Sequence, residues 1–477
     1  MSIKYKSAVF STKQIASVLG ATAEYEDEIT SIVTDSRESE SGALFVALKG
    51  ERFDGHDFIA QAISRGAAAV IAERMPEDLE PEVRGRVLLA EDSVKALGKV
   101  AKAYKARINP KTVAVTGSVG KTTTKEFVSA VADYKYSTHK TVGNFNNEIG
   151  MPLSVLSMPE TTQVCVLEMG MSGLGEISRM THIAEPDIAI ITNIGNSHIE
   201  NLGSRENICK AKLEVTEGVP ENGYVILNAD EPLLFAQKGK LERNLIFVSL
   251  SNPAADYRAL NIREYEDSTE FDLVAGRRVV TNVRIPTIGR HNVYDATYAF
   301  VVGTLLGMSD DEIKRGLMSF RNTGMRQNIY EYGGVTVIED CYNAGPESMK
   351  AAVEVLARVA EKNGCRSVAV LGDMLELGDY SKQLHMEVGT HVASRHISHL
   401  VTFGHEAENI ALGAINHAMK NENISICTNT EKPEAAAQTV FGLVKRGDAV
   451  LFKASRAVRL ERVIEELKRL LDENTAI

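Results

Sequence analysis

The stretch VAVTGSVGKTTTKE, residues 113–126, decides how the surrounding chain folds. Alternating β-forming residues lead into a glycine-rich turn, and an amphipathic helical pattern follows. Strand, glycine loop and helix in this order are typical of a phosphate-binding loop. In such a loop Gly117 and Gly120 let successive N–H groups point at an anion, and the helix N-terminus adds partial positive charge. The stretch therefore predicts a nucleoside triphosphate site on an α/β sheet.

Two side chains of this loop have defined tasks at a triphosphate. Lys121 is expected to reach the β- and γ-phosphates, and the hydroxyl of Thr122 to contact Mg²⁺. The loop departs from the general pattern G-x-x-x-x-G-K-[ST], because Val115 occupies the position of the first glycine. A chance Gly-Lys-Thr turn is the alternative, but the preceding strand and following helix favour the nucleotide site.

The bulk composition excludes several classes of protein. A chain of 477 residues is long enough for about three domains. Its net charge of −11 argues against a general nucleic-acid or acidic-membrane binder. The five cysteines are scattered without a C-x-x-C pair, which indicates a reducing compartment. No apolar run is long enough for a membrane span. We expect a soluble, cytoplasmic monomer that acts on small molecules, without nucleic-acid partners or membrane insertion.

The pattern of strands and helices predicts an α/β fold in three domains: an N-terminal domain (1–108), a central parallel-sheet domain (109–323) and a C-terminal Rossmann-like domain (324–477). Residues 250–290 are polar and β-rich, and they indicate a small β insertion in the central domain. Residues 322–326 are expected to form a hinge into the C-terminal domain. Strands expected at 335–340, 367–372, 399–404 and 448–453, each followed by a helix, make the C-terminal domain a second doubly wound unit.

Polar side chains follow two expected strands of the central domain, 163–168 and 187–192. The carboxyl ends of parallel strands share one sheet edge with the phosphate loop, and ligands of open α/β sheets bind outside that edge. Glu168 is a hard oxygen donor suited to Mg²⁺, although a helix cap is the alternative. His198 is a second candidate, with a structural histidine as the alternative.

Lys212 is the least expected residue of the helix predicted at 205–216. Its spacing from Ile208 and Val215 places it on the apolar stripe. An inward lysine is uncommon unless it is paired or functional. A side chain that extends its charged end to solvent is the alternative.

The first domain has a cluster of polar residues at loop positions beside strands: Asp35, Ser36, Arg37, Lys49 and His56. Each alone is consistent with a solvated turn. Together these donors favour an anionic ligand.

Several motifs beside the phosphate loop make the chain similar to the Mur ligase family, the ATP-dependent amino-acid and peptide ligases of peptidoglycan precursor synthesis. They are EMG at 168–170, NSH at 196–198, KAKLE at 210–214, NFNNEIGMP at 144–152, DCYNAGPESM at 340–349 and LGDMLELG at 371–378, with His385 downstream. The family's phosphate loop, T-G-[ST]-x-G-K-[ST]-[ST], accounts for Val115. The resemblance covers essentially the whole chain.

Within that family, the motifs at 144–152, 340–349 and 371–378 favour the activity that joins D-alanyl-D-alanine to UDP-N-acetylmuramoyl-tripeptide. The resemblance implies ATP and Mg²⁺ as cofactors and an acyl-phosphate intermediate. Another Mur-type or folylpolyglutamate-like amide ligase is the alternative within the class. A phosphate-loop switch or motor is the alternative outside it, but its metal-binding strand is expected to end in Asp, not in Glu168.

The resemblance also implies site residues, position by position. The catalytic set is Lys121, His198 and Lys212. The ATP set is Gly117, Ser118, Val119, Gly120, Lys121, Thr122, Thr123, His291, Asn292, Arg326 and Asp340, with His291 and Asn292 beside the adenine. The metal set is Thr122, Glu168, His198 and Lys212, the last through a carbamate on its side-chain nitrogen. The UDP-sugar-peptide set is Ser36, Arg37, Lys49, Asp54 and His56. The D-alanyl-D-alanine set is Asn343, Lys453, Ser455 and Arg456. Asp295, Gly345 and Ala454 stand where the family usually has other residues.

Overall fold

Three β-sheets organise the part of the chain that the computed structural model describes, residues 2–5, 8–50, 53–76 and 79–475. They contain five, nine and six of the described strands, and a two-stranded ribbon accompanies the first. The strands of each sheet fall within one of the segments 1–108, 109–323 and 324–477. None of the helices in these described ranges combines the length and the apolar composition that crossing a bilayer requires.

The first unit is a small, mostly parallel sheet with helices. Its elements are β1 (Ser2–Lys4), β2 (Phe10–Ser11), α1 (Thr12–Leu19), β3 (Glu28–Ile29), β4 (Ser31–Val33), β5 (Ala43–Val46), α2 (Ile59–Ser64), β6 (Ala67–Ala72), α3 (Pro81–Arg84), β7 (Val87–Leu89) and α4 (Ser93–Ile108). The strand order is β1-β4-β5-β6-β7, and only β1 runs antiparallel to its neighbour. All six residues of β6 are buried, as its uninterrupted apolar sequence predicts for a strand covered on both faces.

The central unit is the largest sheet. Its elements are β8 (Lys111–Thr116), α5 (Lys121–Asp133), β9 (Thr138–Lys140), α6 (Gly150–Leu156), β10 (Val164–Glu168), α7 (Glu176–Ala184), β11 (Ile188–Ile191), α8 (Ile199–Leu202), α9 (Arg205–Leu213), β12 (Tyr224–Asn228), α10 (Pro232–Phe235), β13 (Asn244–Ser249), β14 (Tyr257–Glu264), β15 (Thr269–Ala275), β16 (Arg278–Ile285), α11 (Arg290–Leu305) and α12 (Asp310–Met318). The strand order is β16-β15-β14-β13-β12-β11-β8-β10-β9. Helices α5, α11 and α12 pack together around a core that includes the stacked rings of Phe127 and Phe320, 3.7 Å apart.

The β-rich segment expected at 250–290 extends the central sheet and does not form a separate one. β14 pairs in parallel with β13 through Val248 and Tyr257, and then antiparallel with β15, which pairs with β16. Because β13 has an open edge, the hairpins continue its hydrogen-bond ladder.

The third unit is again a helix-flanked sheet. Its elements are β17 (Asn328–Tyr332), β18 (Val335–Glu339), α13 (Pro346–Asn363), β19 (Ser367–Gly372), α14 (Ser381–Ser394), β20 (His399–Phe403), α15 (Glu408–Asn416), β21 (Ile424–Cys427), α16 (Pro433–Leu443), β22 (Ala449–Lys453) and α17 (Glu461–Thr475). The strand order is β17-β18-β22-β19-β20-β21, parallel except for β17. The two strands that the sequence did not predict, β17 and β21, are the edges, where half-exposed residues weaken the apolar signal.

The register of the central sheet positions the functional residues. Glu168 at the end of β10 pairs with Val115 in β8, and Ile191 at the end of β11 pairs with Thr116. The loops that follow these three parallel strands therefore begin at the same sheet edge, as the topology predicts.

Candidate active site

The phosphate loop between β8 and α5 has two glycines in left-handed backbone conformations. Gly117 has a φ of 146° and Gly120 a φ of 87°. A Cβ atom at Gly117 would lie 1.9 Å from Oγ1 of Thr192. The loop packs against the end of β11 so closely that this position requires glycine.

Residues after β11 brace the loop. The side chain of Asn193 accepts a hydrogen bond from the Val119 N–H at 2.9 Å and donates one to the Val119 carbonyl at 3.0 Å. The hydroxyl of Thr192 donates to the same carbonyl at 2.6 Å. Oγ of Ser118 accepts from the Gly195 N–H at 2.9 Å. The loop is thus held to a neighbouring strand by side chains and backbone together.

Lys121, the first residue of α5, folds back over the loop. Its ammonium group donates to the carbonyl oxygens of Gly117 at 2.8 Å and of Ser118 at 3.3 Å. Burial lowers the pKa of Lys121, and the nearby Glu168 opposes that shift. Phosphate oxygens are stronger partners for an ammonium group than neutral carbonyls, so this position suits a lysine that contacts a bound triphosphate.

Thr122 and Glu168 meet beside the loop. The Thr122 hydroxyl donates to Oε2 of Glu168 at 2.8 Å, and both side chains are buried. The side-chain amide of Asn146 donates to Oε1 of the same carboxylate at 2.8 Å. Both oxygens of Glu168 are therefore oriented by neighbouring donors.

Lys125 lies beside the carboxylate of Glu168. Its buried ammonium group lies 3.7 Å from Oε2 of Glu168 and 3.2 Å from Oε1 of Glu126, and it donates to the Thr141 carbonyl at 3.0 Å. Lys125 was not among the predicted site residues. The sequence marks it only by its position one helical turn after Lys121.

Thr122 and Glu168 fit a magnesium ion. Hydroxyl and carboxylate oxygens are hard donors, and Mg²⁺ commonly combines one or two protein oxygens with phosphate oxygens and water. In the described ranges of the chain, no group of three or more His, Cys, Asp or Glu side chains is arranged to hold a metal. The donors therefore suit an ion that binds together with nucleotide phosphates.

Lys212 faces the interior from α9, as its spacing predicts. Its side chain is only 1% exposed. Burial, and secondarily the charge on Lys121, lower the pKa of Lys212 well below its ordinary value. More of the side chain is consequently the neutral amine, which is the form that reacts with carbon dioxide to give a carbamate.

His198 links the central unit to the third unit. It lies at the start of α8 with a φ of 63°. Its Nδ1 is 2.5 Å from Oε2 of Glu376, and this contact lowers the pKa of the Glu376 carboxyl. The structure thus pairs the predicted metal ligand His198 with a carboxylate of the other unit.

Gln327 joins the two residues predicted beside the adenine. Its Oε1 accepts hydrogen bonds from Nε2 of His291 at 2.9 Å and from Nδ2 of Asn292 at 3.2 Å, and its Nε2 donates to the Ile288 carbonyl at 2.9 Å. Burial lowers the pKa of His291. Gln327 was not among the predicted site residues, because a polar residue just after the predicted hinge at 322–326 has no distinctive sequence pattern.

Asp295 lies under the phosphate loop. Its Oδ1 accepts a hydrogen bond from Thr124, and a Cβ atom at Gly120 would lie 3.1 Å from it. The side chain is buried. Its position is that of a support beneath the loop.

The predicted residues of the third unit form a second polar group. Lys453 is buried and donates to Oδ2 of Asp340 at 2.6 Å and to the Asn343 carbonyl at 3.0 Å. The guanidinium group of Arg326 lies 4.0 Å from the centre of the Tyr342 ring. These groups lie at the carboxyl ends of β18 and β22, opposite the phosphate loop.

Ser455 and Arg456 have local partners. Oγ of Ser455 accepts from the Leu375 N–H at 2.9 Å and donates to the Ala344 carbonyl at 3.4 Å. Arg456 is exposed and pairs with Glu461 at 3.0 Å. Ser455 therefore shapes the loop after β19.

Three of the five residues predicted to bind the UDP-sugar, the buried Ser36 and the more exposed Arg37 and Lys49, follow strands of the first sheet. Ser36 donates to Oε1 of Gln61 at 2.7 Å, and the exposed Arg37 pairs with Asp35 at 2.6 Å. Lys49 forms an isolated backbone bridge with Asp54. These contacts leave the Arg37 side chain largely open to solvent.

His56 does not have the environment of a ligand-binding histidine. It is 2% exposed, its Nδ1 is 2.6 Å from Oδ1 of Asp54, and its Nε2 accepts from the Glu73 N–H at 2.9 Å. Both ring nitrogens are therefore occupied, and His56 holds Asp54 in place. A contact between His56 and a ligand stays a prediction.

A cavity of about 630 Å³ opens between the central and third units. None of the five predicted first-unit residues, all of which are described, lines it. The predicted residues that do line it are Ser118, Val119, Gly120, Lys121, Thr122, Thr123, Glu168, His198, His291, Asn292, Arg326, Asp340, Asn343 and Lys453. The cavity brings the phosphate loop, the metal donors and the third-unit group onto one surface.

Comparison with known proteins defines the class. Residues 28–105 match the model for the Mur ligase family catalytic domain, residues 115–303 the Mur ligase middle domain, and residues 325–456 the Mur ligase glutamate ligase domain. The chain belongs to the Mur ligase family, as the motifs predict.

Individual relatives are similar over nearly the whole chain. The UDP-N-acetylmuramoyl-tripeptide–D-alanyl-D-alanine ligase of Bacillus subtilis is 40% identical over 94% of this chain and 95% of its own. A crystal structure of MurF from Acinetobacter baumannii superposes with a TM-score of 0.86 at 31% identity, over 96% of this chain and 99% of that one. MurF from Thermotoga maritima in complex with ADP gives a TM-score of 0.83 at 35% identity, over 93% and 98%. The predicted three-domain α/β fold is confirmed.

Proposed function

We propose that this chain is an ATP-dependent ligase that joins D-alanyl-D-alanine to UDP-N-acetylmuramoyl-tripeptide and releases ADP and phosphate. The observation that carries the proposal is the 40% identity, over 94% of the chain, to a ligase of that name. The geometry supports it, because a phosphate loop and the paired donors Thr122 and Glu168 face the third unit across one cavity. The product, a UDP-linked pentapeptide, is a peptidoglycan precursor, and its ATP-dependent synthesis is a cytoplasmic reaction.

The chemistry requires activation of a carboxylate. The γ-phosphoryl group of ATP passes to the terminal carboxylate of the tripeptide and gives an acyl phosphate. The amine of D-alanyl-D-alanine attacks this carbonyl, and phosphate leaves from the tetrahedral intermediate. Such catalysis consists mainly of positioning and charge stabilisation.

The phosphate loop and Lys121 hold the triphosphate in this scheme. The loop N–H groups and the ammonium of Lys121 stabilise charge on the β- and γ-phosphates. Thr122 and Glu168 are the protein oxygens that would hold Mg²⁺, which neutralises phosphate charge when it is bound. His291, Asn292 and Gln327 form the wall for the adenine.

Lys212, His198 and the first unit complete the assignment. A carbamate on Lys212 would convert a cation into an oxygen donor, which accounts for an inward lysine beside Lys121. With His198 it would supply donors for a second Mg²⁺. Ser36, Arg37, Lys49 and Asp54 serve the UDP-sugar of the first substrate, and Asn343, Lys453, Ser455 and Arg456 serve the incoming dipeptide.

The direct test is phosphate release from ATP, measured with UDP-muramyl-tripeptide alone and together with D-alanyl-D-alanine. Release coupled to formation of the pentapeptide is expected only when all three substrates are present. Release that proceeds equally well without the peptide acid would contradict the proposal.

A loop variant tests the nucleotide site. Lys121→Ala is expected to lower ligation by about 10²-fold or more, by analogy with loss of a single charged donor. Lys135→Ala, which removes a lysine near the far end of α5 that pairs with Glu312, is the matched control. A near-normal rate in Lys121→Ala would mean that the loop is wrongly assigned.

A further inference from the structure

The lining of the active-site cavity includes five carboxylates, and four of them have no buried oxygen that lacks a hydrogen-bond partner among the described residues. The pairs are Glu168 with Thr122 and Asn146, Glu176 with Ser172, Asp295 with Thr124, and Asp340 with Lys453. The fifth is Glu347. It differs from the others in its contacts.

Glu347 lies in the first turn of α13, in the third unit. Its Oε1 accepts a hydrogen bond from Nδ2 of Asn196 at 2.8 Å. Its Oε2 is buried and accepts no hydrogen bond from the described residues. A buried carboxylate oxygen without a donor is costly, and native proteins usually supply a partner for such a group.

This carboxylate lies where the third unit meets the loop after β11. A Cβ atom at Gly195 would lie 2.8 Å from Oε2 of Glu347, and the Gly195 N–H donates to Ser118 in the phosphate loop. Glu347 therefore lies next to Gly195, which contacts the phosphate loop. The backbone of Glu347 itself belongs to the third unit.

The charges around the cavity favour a cation at Glu347. Lys121, Arg326 and Lys453 line the same cavity and suit the triphosphate and the carboxylates of the substrates. The third substrate of the proposed reaction enters with an ammonium group, which needs an anionic acceptor. Hydrogen bonds between an ammonium and a carboxylate are among the stronger ones in proteins.

We propose that Glu347 binds the amino group of the incoming dipeptide through its Oε2 and so aims the amine at the activated carboxylate. This inference rests on the proposed ligase function. The ammonium passes one proton to water in the cavity before the amine attacks, and the remaining N–H groups can still donate to Oε2.

The test is Glu347→Gln, which keeps the shape of the side chain and an acceptor for Asn196 but removes the charge. The KM for D-alanyl-D-alanine is expected to rise roughly 10- to 100-fold, the loss of a charge-assisted hydrogen bond. Hydroxylamine, a neutral nucleophile that traps acyl phosphates as hydroxamates, replaces the dipeptide in the second assay. Its rate with UDP-muramyl-tripeptide and ATP is expected to stay unchanged.

Two further variants separate amine binding from structural roles. Glu176→Gln neutralises another carboxylate of the same cavity and is expected to leave the KM for the dipeptide unchanged. Asn196→Ala removes the hydrogen bond from the central unit to Glu347 but keeps the Glu347 carboxylate, and it is expected to retain a near-normal KM. If Asn196→Ala reproduces the Glu347→Gln change, Glu347 serves only to dock the units and the proposal is overturned.

The remaining outcomes are also decisive. An unchanged KM in Glu347→Gln, or a hydroxamate rate that falls as far as the amide rate, overturns the role of Glu347 while leaving the ligase function intact. A wild-type protein that forms neither hydroxamate nor amide overturns the ligase function, and this inference with it.

Discussion

The hydroxyl of Thr124 donates a hydrogen bond to Oδ1 of Asp295 at 2.6 Å and so joins α5 to α11 beneath the phosphate loop. Burial raises the pKa of Asp295 to about 7, and the hydrogen bond from Thr124 offsets part of that shift. An acid of this kind makes the stability of the fold depend on pH.

Asp295→Asn is expected to remove this dependence. Between the ordinary pKa of 3.8 and about 7, the unfolded chain loses the proton that the folded chain keeps. The free energy of unfolding therefore falls as the pH rises through that window, by up to about 4 kcal/mol. Asn keeps an acceptor for Thr124 and does not titrate.

Urea unfolding of the nucleotide-free protein at pH 5 and pH 8 measures the effect. The stability of Asp295→Asn relative to the wild type is expected to be greater at pH 8 than at pH 5. A difference that is the same at both values would mean that Asp295 does not titrate in this range.

Lys212→Ala is expected to abolish most ligation without unfolding the protein. Because burial favours the neutral amine at Lys212, we expect the wild type to take up carbon dioxide as a carbamate. Acetate or formate should then restore part of the activity of the variant, since a short carboxylate can replace the lost oxygen donor.

Carbon-13 NMR with labelled bicarbonate gives an independent readout. A carbamate resonance is expected in the wild type and not in Lys212→Ala. A folded variant that acetate does not rescue, together with no carbamate signal, would leave Lys212 with a structural role only.

Lys125→Met is expected to destabilise the protein by about 3–5 kcal/mol, because it leaves the carboxylates of Glu126 and Glu168 buried without their shared cation. Lys140→Met is the matched control, since Lys140 contacts Glu126 from a side chain that is 44% exposed. That change is expected to cost less than about 1 kcal/mol. Chemical denaturation of both variants measures the two losses of stability. Equal losses would contradict a buried ion-pair cluster of Lys125, Glu126 and Glu168.

Gln327→Leu is expected to raise the KM for ATP and to leave the KM for D-alanyl-D-alanine nearly unchanged. The substitution keeps the size of the side chain but removes the partner shared by His291 and Asn292. A loss of about 1–3 kcal/mol for the unpaired groups corresponds to roughly 5- to 100-fold in affinity. Asn328→Ala is the control, because the Asn328 side chain, at the start of β17, donates to the Gly324 carbonyl and not to His291 or Asn292.

Steady-state kinetics with each substrate varied in turn distinguishes the two expectations for Gln327. An equal rise of the KM for ATP and the KM for D-alanyl-D-alanine would mean that the substitution disturbs the connection between the units and not the adenine site alone.

The features that followed directly from sequence are those set by local pattern or by topology. The phosphate loop has a dense local signal, and Glu168 could be placed beside it because parallel strands end at one edge. Lys212 was identified by its spacing alone. These inferences needed no long-range contact.

The features that sequence reasoning missed depend on contacts between distant elements. Gln327 and Glu347 meet residues of the central unit only after the chain has passed through the hinge at 322–326. The occupied ring of His56 depends on the backbone of Glu73, which no motif marks. Edge strands β17 and β21 have no fully buried residue and therefore lack the continuous apolar run that marks the inner strands of the third sheet.

The residues after β11 hold Ser118 and Val119 in place in the ligand-free protein. A wall that is preformed loses little conformational entropy when a ligand arrives, so the triphosphate meets a surface already in its working shape. The opposite wall, which includes α13 and Glu347, belongs to the third unit. The part of the nucleotide site that holds the phosphates is therefore preformed on the edge of the central sheet, whereas the wall proposed for the acceptor amine is supplied by the third unit.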